Sequence, residues 1–151
     1  MLAVHMQAFT KFIPLKVEVD RTNDLIGWEK LNEIYSIAPE TKQWPILTTS
    51  HTMVGEVSYY LENKRVYQWG APNRITDLSQ ADSGSLKENE AFLLITFDDD
   101  RFSDNALSLF KNIVPIADIP VYVERGPEKI RIRTYHCFKG EDFLGSSLIK
   151  S

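Results

Sequence analysis

Residues 92 to 97 read Phe-Leu-Leu-Ile-Thr-Phe, an almost unbroken apolar run, and Asp98-Asp99-Asp100 follows it directly. A strand with one wet face alternates apolar and polar side chains, so a continuous run predicts a strand covered on both faces. The run therefore predicts a central strand over residues 91 to 97, ended by the aspartates. A chain of 151 residues, 43% apolar, is long enough to build one domain around such a strand.

The flanking segments have matching periods. Leu25, Trp28, Leu31, Ile34, Tyr35 and Ala38 recur at three- and four-residue spacing and predict a helix over residues 23 to 38. Thr22, Asn23 or Asp24 can cap its start, and Pro39 ends it. Residues 46 to 49 are a short, mostly β-branched strand. Ser50 is a good N-cap for a second helix whose buried stripe is Met53, Val54, Val57, Tyr60 and Leu61. A strand over residues 65 to 69 stops at Gly70 and Pro72. Residues 70 to 89 form a long polar loop, a type that is uncommon unless functional.

After Ser103, a third helix is expected to turn Ala106, Leu107, Phe110 and Ile113 inward. Val121 and Val123 then lead through Arg125-Gly126-Pro127-Glu128 into a return strand carrying Ile130, Ile132 and Thr134. This order predicts an α/β domain, a three-layer, mostly parallel sheet with an antiparallel C-terminal hairpin at one edge. The domain is expected over residues 16 to 140, with a weakly ordered tail over 141 to 151.

Composition narrows the function. The net charge is −4 and basic residues are scattered, apart from Arg125, Lys129, Arg131 and Arg133, so no nucleic-acid partner is expected. The single cysteine, Cys137, excludes an internal disulfide and a cysteine-based zinc site. No run of about eighteen apolar residues occurs, so no transmembrane helix is expected within the sequence. Residues 1 to 15 read either as an ordinary first element or as the end of a preceding membrane helix with Pro14 as its exit. No cofactor is expected in the chain.

Ligands of open α/β sheets bind at the carboxyl ends of the strands. The amides of Thr49, Ser50 and His51, at the start of the second helix, are an anion-accepting corner. Asn73 and Arg74 follow the neighbouring strand and are expected to cover that corner. Trp69 can stack on a sugar there or simply fill the core. Asp98 and Asp100, two apart in extended backbone, point one way and are the candidates for a divalent cation. Their plainer role is to end a strand and complement the next helix dipole. The missing glycine-rich phosphate loop favours that role.

His5, His51 and His136 lie far apart without H-x-x-x-H or H-E-x-x-H spacing, so no zinc site is expected. Ser50 lacks the G-x-S-x-G setting of a nucleophile elbow. Cys137 and His136, adjacent in a strand, face opposite ways, which makes Cys137 a core residue. Arg131 and Arg133 are expected on one face of the last strand. There they either attract anionic headgroups or block unwanted strand pairing.

A set of spaced positions carries a resemblance: Asp20, Thr22, Gly27-Trp28, the turn from Thr48 to His51, Ser58-Tyr59-Tyr60-Leu61, Arg65-Val66-Tyr67 and Arg133-Thr134-Tyr135. In this order they resemble the soluble C-terminal domain of bacterial membrane glycosyltransferases that use polyprenyl-phosphate sugars, relatives of dolichyl-phosphate-mannose–protein mannosyltransferase. The chain departs from that pattern at Thr49-Ser50, where the family often has an Asp or a basic residue, and at Asn73-Arg74, where it has an Asn-Gln pair. The family's catalytic acids lie on a loop between membrane helices that no part of this chain matches. The resemblance thus implies a non-catalytic, extracytoplasmic accessory domain. Its partners would be the membrane-spanning part of the same enzyme and a lipid-linked sugar or an acceptor glycan or protein. The alternative is a freestanding cytosolic α/β protein that binds a small phosphorylated or sugar ligand.

Overall fold

Five strands form one sheet in the computed structural model, which describes residues 21–71, 73–81 and 85–145. They are β1 (Ile46–Thr48), β2 (Val66–Gln68), β3 (Phe92–Phe97), β4 (Phe110–Arg125) and β5 (Glu128–Phe143). Their order is β2-β1-β3-β5-β4, with β3 central as the apolar run requires. Pairing is parallel among β1, β2 and β3, and antiparallel from β3 to β5 and from β5 to β4. The sheet is therefore mixed, where a mostly parallel one was expected. The C-terminal hairpin takes up one whole side of it.

Alternate side chains of β3 enter two separate cores. Leu93 and Ile95 join Trp28, Leu31, Ile34, Met53, Val57 and Tyr135 on one face. Phe92 and Leu94 join Leu47, Leu78, Leu109, Phe110 and Phe143 on the other. The α-helices are α1 (Glu33–Ile37), α2 (His51–Tyr60) and α3 (Asp104–Leu107). The expected helix over residues 23 to 38 is instead two 3-10 turns, Arg21–Leu25 and Trp28–Asn32, running into α1. Gly27 breaks it by adopting a φ of 84°, a left-handed conformation that glycine accepts without strain. Trp28, Leu31, Ile34 and Ala38 are buried as the periodicity predicts, while Leu25 is 58% exposed.

Ser50 caps α2 by accepting a hydrogen bond from the Met53 amide, and Ser103 caps α3 through the Ala106 amide. The third helix, however, is only one turn long. Phe110 and Ile113 lie in β4, where pairing with Phe143 and Gly140 of β5 overrides the helical period. Pro115 and Pro120 are tolerated because β4 is an edge strand, where a missing N–H leaves no ladder partner unmatched. Residues 141 to 143, expected in the tail, are the end of β5. Phe143 stacks on Phe92 at 4.8 Å between ring centroids, which anchors the strand there. The expected membrane-proximal segment over residues 1 to 15, Asp20, Pro72 and the tail beyond residue 145 lie outside the described residues.

Two register shifts shape the hairpin, one between Pro115 and Ala117 and one between Val121 and Tyr122. Each extra residue swaps which side chains face which core and increases the local twist. β3 pairs with β5 only up to Phe97 and Tyr135, so the outer half of the hairpin extends past β3. There Ile119, Val121 and Val123 are buried, the first two within the core that holds Trp28.

Candidate functional site

The strand-end corner is built as a network of short polar contacts. The Thr48 hydroxyl donates to the Ser50 and Tyr67 carbonyls. His51 Nδ1 lies 3.3 Å from the Thr76 hydroxyl, which also accepts from the Gln68 amide group at 3.0 Å. Buried Asp77 fixes the loop by accepting from the amides of Ala71 and Ser79. The loop thus reaches the start of α2 through Thr76, while Asn73 and Arg74 are exposed. Thr49 donates to an Asp100 carboxylate oxygen at 3.2 Å. An anion on the first amides of α2 would meet that carboxylate, and Ser50 already occupies the Met53 amide.

Asp98 and Asp100 reach opposite neighbours of β3. Asp98 adopts a φ of 50°, and its carboxylate accepts the Thr134 amide of β5 at 2.8 Å while its own amide donates to the Thr134 carbonyl at 2.9 Å. The side chain thereby extends the β3–β5 ladder by one step after the backbone has turned away. Asp100 points to Thr49, just beyond β1. The positive φ at Asp98 is what breaks the extended geometry that would have aligned the two acids. Among the described residues no three His, Cys, Asp or Glu side chains are grouped to hold a metal ion.

Arg131 and Arg133 also separate. Arg133 pairs with Val121 and Arg131 with Tyr122, so the register shift sends them to opposite faces. Arg131 is exposed, whereas Arg133 is 6% exposed and its guanidinium lies 4.7 Å from the Trp28 ring centroid and 5.4 Å from that of Phe97. It donates to the Tyr135 hydroxyl and the Asn23 carbonyl. Burial pushes the Tyr135 hydroxyl up to about 12, against the lowering effect of Arg133. Cys137 is buried in the core, and its thiol is likewise pushed up to about 12 by desolvation, with Asp118 adding to it. Trp69 is half-buried against the second core.

The arrangement that sequence reasoning missed surrounds His136. Its Nδ1 is 2.6 Å from an Asp118 carboxylate oxygen, a contact that crosses the hairpin between directly paired residues. An ionised carboxylate only accepts, so Nδ1 carries the proton and Nε2 is left for other partners. Arg101 curls back so that one Nη1 donates to the Asp98 carbonyl at 3.0 Å and the Asp100 carbonyl at 2.8 Å. His136 and Arg101 together stand between two concavities. One is an open polar cleft that also exposes Asp98, Asp118 and Arg131. The other is a cavity of about 330 Å3 walled by Phe102, Leu107, Ile113 and Phe138, with Thr96 also in its lining. No local signal marks this site, because its members come from three separate strands, a turn and α3.

Among the described residues no helix is long and apolar enough to cross a membrane. No family model matches the chain, and neither a curated protein nor a solved structure matches it.

Proposed function

We propose that the chain is a non-catalytic accessory domain of an integral-membrane glycosyltransferase that uses lipid-linked sugars, exposed on the extracytoplasmic side. One observation carries the reading. Two of the segments through which the chain resembles that family, Gly27-Trp28 and Arg133-Thr134-Tyr135, pack against each other. Arg133 and Tyr135 both contact Trp28, and Gly27 lies under Val121 of the same hairpin. Positions far apart in sequence that form one structural unit are what a shared domain pattern requires. On this reading the sheet is the middle of three layers, and its partners are the membrane-spanning part of the same enzyme and a sugar donor or acceptor.

The reading frame upstream of Met1 tests the proposal. The expected result is a frame that continues into multiple hydrophobic spans, with external protease cleaving the domain in intact cells. A frame with no such spans overturns it. The second reading, a freestanding α/β protein that binds a small phosphorylated or sugar ligand, is favoured by the open site at Arg101 and His136.

A further inference from the structure

Phe102, Leu107, Ile113 and Phe138 pack against the second core, are only partly buried, and line one cavity. Its volume of about 330 Å3 falls at the small end of the range for small-molecule sites, about 300–1,000 Å3. The polar groups gather at one end. There Arg101 is oriented by the two carbonyls that hold its Nη1, which leaves its remaining N–H donors unspent. His136 is oriented by Asp118, and that carboxylate is engaged by the imidazole. The charged side chains that line the cavity are thus Arg101 and, when protonated, His136. Three acids line the neighbouring cleft: Asp98, tied to the Thr134 amide, Asp118, tied to His136, and Asp99 in the exposed turn.

We propose that this cavity binds a small amphipathic anion. Its apolar body would sit among Phe102, Leu107, Ile113 and Phe138, and its carboxylate or phosphate head would be held by Arg101 and His136. The complementarity is that of a guanidinium fork and an imidazole facing an anionic head, beside walls that only an apolar group satisfies. The site is independent of the membrane-enzyme reading and stands on its own geometry.

Amide and methyl NMR titration of the purified chain is the test, with octanoate, octyl phosphate, octanol and inorganic phosphate as probes. Octanoate or octyl phosphate should give saturable shifts at Phe102, Leu107, Ile113 and Phe138, and whichever binds more tightly identifies the head group. Octanol should bind about 10-fold more weakly, and inorganic phosphate alone should give no shifts at the four walls. Arg101→Gln should weaken the anions about 10-fold and leave octanol unchanged. Leu107→Trp should fill the cavity and abolish binding of all three octyl probes. Ile113→Trp does the same from another position, so a variant that fails to fold leaves a second one. Equal affinity for octanol and octanoate, unchanged binding in Arg101→Gln, or no saturable shifts at the four walls overturns the proposal.

Discussion

The buried guanidinium of Arg133 lies 4.7 Å from the Trp28 ring centroid, where it donates to the Tyr135 hydroxyl at 3.0 Å and the Asn23 carbonyl at 3.3 Å. Among the described residues no carboxylate lies within ion-pair range of this buried cation. Its stability comes from aromatic faces and fixed acceptors, a combination that suits the planar fork of arginine and not the ammonium of lysine. Arg133→Ala should therefore cost about 2–4 kcal/mol, and Arg133→Lys should recover less than half of that. Trp28→Ala should cost about 3–5 kcal/mol. Urea unfolding of the three variants checks the order, and full recovery by lysine would refute it.

Gly27 is required twice over. Its φ of 84° strains any residue with a Cβ, and a Cβ built there would collide with Val121 on the hairpin. Gly27→Ala should destabilise by about 2 kcal/mol or more. Part of that penalty belongs to Val121 and part to the backbone, so Val121→Ala should relieve only the first part. A double-mutant cycle should return a coupling of about 1 kcal/mol. Zero coupling would mean that the hairpin does not press on Gly27.

Asp98→Ala and Asp100→Ala should differ sharply despite their closeness. Removing the Asp98 carboxylate orphans the amide of Thr134, a residue only 9% exposed, at a cost of about 1–3 kcal/mol. Asp100 is exposed and bonded to one hydroxyl, so its loss should stay within about 0.5 kcal/mol. Thermal unfolding measures both. Millimolar manganese should shift neither midpoint, since the two carboxylates reach opposite neighbours.

What was legible in the sequence was local. The run at Phe92–Phe97 reports burial on both faces within six residues, and Ser50 and Ser103 announce their helices within one turn. What was not legible depends on the partner strand. The extra residues at Ile116 and Ile132 reset the register of the hairpin, and only the paired strand reveals which faces Arg131 and Arg133 take. The pairing of His136 with Asp118 depends on the same register. Phe110 and Ile113 matched a helical period by coincidence, and only their pairing with β5 shows them to be strand residues. Gly27 was visible as a glycine inside a helical pattern, but its collision with a hairpin far along the chain was not.

In the unfolded chain the Cys137 thiol ionises near 9.0, whereas in the folded core it holds its proton to about 12. Tyr135 behaves alike, from 10.0 unfolded to about 12 folded. Both folded values are raised, so the stability these groups contribute is fully present below the unfolded values and is lost as pH rises through the folded ones. Between pH 9 and 10 the thiol contributes most of the loss from the two, and the slope it adds approaches about −1.4 kcal/mol per pH unit toward the upper end of that interval. Above pH 10 the phenol steepens the decline. Urea unfolding at pH 8, 9, 9.5 and 10 should show this loss in the native chain, and Cys137→Ala should remove most of it over that interval while lowering stability at pH 8 through lost packing. The folded thiol should also stay unreactive toward an aromatic disulfide reagent at pH 8 until denaturant is added. Rapid reaction without denaturant, or an unchanged slope in Cys137→Ala, would show that the thiol is not sealed in the core beneath β5.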